Sequence, residues 1–100
     1  MPFDDLLTNV ALYWLTGTAG SSTRIYRESA ADWEPPAAPG VTPTGVAVFP
    51  GDSTVRRYAA RAHHVVHWSE FPRGGHYAAL QEPLLLADDI RTFFAKLETA

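Results

Sequence analysis

The chain has 100 residues, with 8 Lys and Arg against 11 Asp and Glu, a net charge of −3, 46% hydrophobic residues, 7 Gly, 8 Pro and no cysteine. That is enough apolar residue for a packed core and caps the chain at one small domain; the missing cysteines exclude a disulfide scaffold, a Cys-ligated metal site and thiol catalysis. The mild acidity gives no electrostatic reason to bind nucleic acid or an anionic membrane.

The first residues, Met1-Pro2-Phe3-Asp4-Asp5, are acidic where a secretion signal would be basic. The apolar run Val10 to Leu15 is six residues long, far short of the roughly 20 that span a bilayer. These features predict a soluble, cytoplasmic chain with no membrane anchor.

Residues 3–15 place Phe3, Leu7, Val10 or Ala11, and Trp14 on one helical stripe, with Asp4 and Asp5 at its start and Gly17 as its stop. Tyr13 beside Trp14 reads as core. A second, less amphipathic helix is expected from Thr18 to about Glu28, with Ile25 and Tyr26 near its end. The stretch Asp32-Trp33-Glu34-Pro35-Pro36-Ala37-Ala38-Pro39-Gly40 breaks every period and reads as a linker. Thr44-Gly45-Val46-Ala47-Val48-Phe49, flanked by prolines, predicts a strand buried on both faces. A short helix with an arginine face follows over 54–62, and His64-Val65-Val66-His67-Trp68 is the next strand. After a Gly-Gly loop, the segment Pro83 to Phe94 predicts a helix with Pro in its first turn and Leu86, Ile90, Phe93 or Phe94, and Leu97 on one side.

Strand, helix, strand, loop and helix in that order point to an α/β fold with parallel strands. Two buried strands need neighbours, so the pattern reads as the end of a larger fold.

Open α/β sheets build sites on the loops at the C-terminal ends of their strands. Arg73-Gly74-Gly75-His76-Tyr77 puts a histidine on such a loop, and Pro50-Gly51-Asp52 puts a carboxylate on the loop after the preceding strand. If the strands are parallel neighbours, the two loops meet, and a carboxylate there can orient an imidazole and stabilise its cation. The competing readings are a simple turn for His76 and a helix N-cap for Asp52, since Asp-Ser-Thr is good capping chemistry. His63, His64 and His67 cluster, but no Asp or Glu stands at helical or strand spacing to complete a metal site. They read as solvated or edge-of-sheet histidines. Asp88-Asp89 reads as the polar face of the last helix. There is no Gly-x-Ser-x-Gly elbow and no phosphate loop, so a nucleophile served by His76 has to come from elsewhere.

Taken together, several segments resemble epoxide hydrolases of the microsomal and juvenile-hormone type. They are Asp4-Asp5-Leu6-Leu7-Thr8-Asn9-Val10-Ala11-Leu12-Tyr13-Trp14-Leu15-Thr16-Gly17-Thr18, Ser21-Ser22-Thr23-Arg24-Ile25-Tyr26-Arg27-Glu28, Thr42 to Pro50, Pro72-Arg73-Gly74-Gly75-His76-Tyr77-Ala78-Ala79-Leu80-Gln81-Glu82-Pro83, and Asp89-Ile90-Arg91-Thr92-Phe93-Phe94. The resemblance implies an α/β-hydrolase fold, with 1–30 as the end of a helical cap, 31–43 as a Pro-rich linker and 44–100 as the C-terminal part of the core. It implies hydrolysis of an epoxide to a vicinal diol through an alkyl–enzyme ester, with a small-molecule epoxide and water as reactants and no cofactor or metal. Carried over by motif, His76 is the water-activating base, Asp52 its acid partner and Tyr26 one of two tyrosines that hold the epoxide oxygen. The family's nucleophilic aspartate, oxyanion loop and other tyrosine are not among these 100 residues, so the missing N-terminal part of the fold is an implied partner and the chain alone is expected to be inactive. The alternatives are a segment of another α/β hydrolase, such as a haloalkane dehalogenase or esterase, and a non-catalytic truncated fragment.

Overall fold

The computed structural model describes residues 1–34 and 37–99, and the chain falls into two units, Met1–Pro35 and Pro36–Ala100. Pro35 and Pro36, within the expected linker, lie outside the described residues.

In the first unit, helix α1 (Phe3–Thr16) carries Asp4 and Asp5 in its first turn. It ends on Gly17 in the left-handed region, where the Thr18 N–H reaches back to the Tyr13 carbonyl at 3.1 Å. The start and stop match the sequence reading, but the burial does not. Phe3, Val10, Trp14 and Leu15 are exposed, Trp14 and Leu15 by 82% each, and Tyr13 is 44% exposed. The helices after α1 are too short to cover its apolar stripe. The single helix expected over 18–28 is two, α2 (Ala19–Ser22) and α3 (Arg24–Glu28), followed by a 3-10 turn at Ala30–Trp33 that runs into the expected linker. The break has a local cause. The hydroxyls of Ser21, Ser22 and Thr23 donate to the carbonyls of Thr18, Ala19 and Gly20 (3.2, 2.8 and 2.7 Å), competing with the helical ladder.

The second unit holds β1 (Pro43–Val48), α4 (Arg56–Ala62), β2 (His64–Glu70), α5 (Ala78–Gln81) and α6 (Pro83–Thr99). The two strands pair in parallel, with Gly45 opposite His67, Ala47 opposite Ser69 and one register slip between Thr44 and Gly45. Parallel pairing follows from the crossover through α4. Side chains alternate across the pair. On one side Gly45 lets Phe93 of α6 pack down onto β1, since a Cβ there would lie 2.8 Å from the Phe93 ring. On the other side Arg56 of α4 lies over the Trp68 ring at 5.4 Å. Of the described residues only Phe49 and His67 are buried, at 8% and 7% exposure, so the strands are not buried on both faces as expected. A two-stranded sheet has no neighbouring strand to shield its margins.

His67 is the second departure from expectation. It is buried under α6, its side chain 5% exposed and that of Asp89 12%. The Lys96 ammonium, which can only donate, lies 2.8 Å from Nδ1. Nε2 then carries the ring hydrogen toward Asp89 Oδ1 at 2.8 Å, with Ser69 Oγ at 3.0 Å. Asp89 is thus not on the polar face of its helix; Asp88 is, pairing with Arg91 at 3.1 Å. Among the described residues no helix is long and apolar enough to cross a membrane.

Candidate active site

Strand β1 leads out through Phe49-Pro50-Gly51-Asp52. The Asp52 N–H donates to the Phe49 carbonyl at 3.1 Å, and Gly51 takes φ 91°, so Pro-Gly occupies the centre of a type II turn. The Thr54 N–H donates to Asp52 Oδ1 at 2.7 Å. That Asx turn ends before α4 begins: the helix N-cap is Val55, with no side-chain cap, so Asp52 is not the N-cap that its sequence context allows. The Thr54 hydroxyl and then the Thr54 N–H hold the Asp52 carboxyl below the usual 3.8, against a small opposing effect of desolvation. It is therefore a carboxylate at neutral pH.

Strand β2 leads out through Phe71 to Tyr77. Gly74 takes φ 97°, a backbone state closed to most side chains, and a Cβ on it would lie 2.7 Å from the Phe49 ring. Phe49 also stacks on Phe71 with centroids 4.9 Å apart. One buried ring therefore touches both loops. His76 follows on the exposed side of this turn, with the edge of its ring on Tyr77 at 4.9 Å.

The two loops open onto one cavity of about 380 Å³, whose walls include Ala47, Phe49, Asp52, Gly75, His76 and Leu86. The structure so brings Asp52 and His76 to one rim, at the end of the sheet where the strand order places them. No hydrogen bond joins the two among the described residues; one oxygen of Asp52 accepts from the Thr54 N–H and the other is left for a second partner. The chemistry available is that of an accessible imidazole and an ionised carboxylate facing a chamber whose apolar walls are Ala47, Phe49 and Leu86. Tyr26 lies in the other unit, 63% exposed, its ring 5.9 Å from that of Trp33. Among the described residues no group of three or more His, Asp or Glu side chains is arranged to hold a metal ion. His64 is exposed, with Nδ1 3.2 Å from the Val41 carbonyl.

Sequence reading missed Asp89, Ser69 and Lys96 as partners of His67. The available signal was position: Asp89 lies three residues after Leu86 and four before Phe93, on the stripe of α6 that faces the strands.

No model of a known protein family matches the chain, and no solved structure matches it. Curated proteins do. The chain is 39% identical over 102 residues to epoxide hydrolase 1 of Sus scrofa, an alignment covering 95% of this chain and 22% of that protein. It is 40% identical over 96 residues to juvenile hormone epoxide hydrolase 2 of Ctenocephalides felis, covering 88% and 20%. With epoxide hydrolase 1 of Oryctolagus cuniculus the identity is 37% over 101 residues, covering 94% and 22%. The chain thus spans about a fifth of the length of the relatives it matches. Those relatives imply an α/β-hydrolase fold, with which two parallel strands flanked by helices agree. The chain belongs to the epoxide hydrolase family, juvenile-hormone type included, as the counterpart of a C-terminal portion of such an enzyme.

Proposed function

We propose that this chain supplies the water-activating half of an epoxide hydrolase: His76 as general base, Asp52 as its acid partner and Tyr26 as one donor to the epoxide oxygen. Residues 1–30 are then the end of a cap, 31–43 the linker and 44–100 the last part of an α/β-hydrolase core. The observation that carries this reading is the shared cavity. An imidazole and a carboxylate from the loops after two adjacent parallel strands line one chamber.

A carboxylate from outside these 100 residues attacks an epoxide carbon, the ring C–O bond breaks, and the ring oxygen takes the Tyr26 proton. His76 then removes a proton from water as the water oxygen adds to the ester carbonyl. The acyl C–O bond breaks, the departing diol oxygen takes the proton back from the imidazolium, and the freed carboxylic acid gives its proton through water to the Tyr26 phenolate, restoring carboxylate and phenol. Asp52, held ionised by Thr54, supports the imidazolium through its second oxygen. The chamber's apolar walls, Ala47, Phe49 and Leu86, suit the hydrocarbon part of an epoxide.

The test exchanges this chain for the 102 matched residues of the Sus scrofa protein and follows diol formation from styrene oxide. The hybrid is expected to turn over. Its His76→Gln variant should become alkylated, seen as added mass on the intact protein, yet release diol at least about 100-fold more slowly. Wild-type turnover by the His76→Gln hybrid would remove His76 from the mechanism.

A further inference from the structure

The loop that presents His76 is gripped from the far side by the residue closing α5. Tyr77, directly after His76, accepts the Gln81 main-chain N–H on its carbonyl at 2.9 Å and donates its own N–H to Gln81 Oε1 at 3.2 Å. Gln81 thus meets both main-chain groups of the residue that follows the base, sharing the carbonyl with the Leu80 N–H at 3.0 Å and holding the N–H with its side chain. On the other flank, a Cβ on Gly75 would lie 2.9 Å from Gln81 Oε1, so the side-chain amide rests directly against the backbone before His76. One glutamine touches the chain on either side of His76. The neighbouring ion pair, Arg73 Nε to Glu82 Oε1 at 3.5 Å, joins the same two segments. Arg73 is 65% exposed there, and water screens so exposed a pair to little effect. The glutamine, with a directional bond to a main-chain N–H, is the stronger constraint on where the imidazole sits.

We propose that Gln81 is a positioning residue for His76, fixing the backbone on both sides of the imidazole so that it meets water at the ester and does not swing into solvent. This rests on the reading of His76 as the base. A misplaced base slows the step it serves and leaves the other step alone. Gln81 should therefore matter for ester hydrolysis and not for ester formation.

In the hybrid described above, Gln81→Met keeps the length of the side chain and removes the acceptor. It is expected to form the alkyl–enzyme at the wild-type rate and to hydrolyse it about tenfold more slowly. Gln81→Glu keeps an oxygen at that position and should restore hydrolysis to within about threefold of wild type. Normal hydrolysis by Gln81→Met, with His76→Gln still blocked, overturns the proposal and leaves the base assignment standing. Equal slowing of both steps by Gln81→Met and Gln81→Glu, with a lowered melting temperature, reduces Gln81 to a fold-stabilising side chain and also overturns it. An unblocked His76→Gln hybrid removes the base assignment and the proposal with it. Should Gln81→Met not fold, hydrogen exchange in the unmutated 100-residue chain decides. The Tyr77 amide must exchange at least about tenfold more slowly than the His76 amide, and equal rates refute the grip.

Discussion

His67→Leu tests the contact that ties α6 to the sheet. The replacement has nearly the same bulk, so the loss is of hydrogen bonds and not of volume. Lys96 loses its acceptor at 2.8 Å, but it stands at an exposed position and can extend into water at little cost. Asp89 fares worse: it keeps the Ser69 hydroxyl at 2.5 Å and loses the ring N–H at 2.8 Å, with its side chain only 12% exposed. One hydrogen bond taken from a mostly buried carboxylate costs about 1.5–3 kcal/mol. The extra apolar surface of Leu returns about 0.5–1 kcal/mol, leaving a net loss of about 1–2 kcal/mol. With a urea m-value of about 1 kcal/mol/M for a unit this small, the midpoint followed by far-ultraviolet circular dichroism should fall by about 1–2 M. Replacing both partners, His67→Leu with Asp89→Leu, removes the stranded charge and should recover most of that loss. A single His67→Leu variant as stable as wild type, or a double variant that loses the sum of the two singles, would refute the account.

Asp89 also sets an acid limit. Burial works to raise its carboxyl, but hydrogen bonds from Ser69 and His67 and the positive field of Lys96 outweigh it and hold the group below 3.8. A carboxyl depressed in the folded state gives stability that is fully present above its unfolded value and is lost as pH falls through its folded one. Urea midpoints should therefore decline below about pH 4, and less steeply in Asp89→Leu; parallel declines would exclude this origin. Gly74→Ala should lower the midpoint by about 1–3 M, because φ 97° and a Cβ 2.7 Å from the Phe49 ring act together; no change would mean the His76 turn is built differently.

The sequence carried the strands, the crossover helix and the last helix because Gly, Pro and apolar periodicity act locally. It also carried the neighbourhood of Asp52 and His76, since two loops after parallel strands have to emerge at one end. What it did not carry depends on partners distant along the chain. His67 and Asp89 are separated by a loop and a helix, and counting every Asp as polar surface assigned Asp89 to water and Ile90 to the interior. In the structure Ile90 is 46% exposed and Asp89 faces the sheet. Adjacent residues on a helix diverge by about 100°, so one of Asp88 and Asp89 lies much nearer the core stripe than the other. The split of 18–28 into two helices was readable as Ser-Ser-Thr, three hydroxyls placed to compete for main-chain carbonyls. The exposed stripe of α1 was not readable, because periodicity identifies an apolar face and says nothing about what covers it.

The ring of Phe49 has a consequence for how such a site drifts or is redesigned. It precedes one loop, abuts Gly74 in the other and is held by Phe71 from behind. An uncharged side chain thus acts as the gauge block between the acid and the base. Trimming it to Leu would alter the gap between two polar groups without changing either of them, and enlarging Gly74 would widen the same gap from the opposite side. Tolerance at these two positions is therefore joint, and a library that varies one of them alone would sample only misfitting halves of a matched pair.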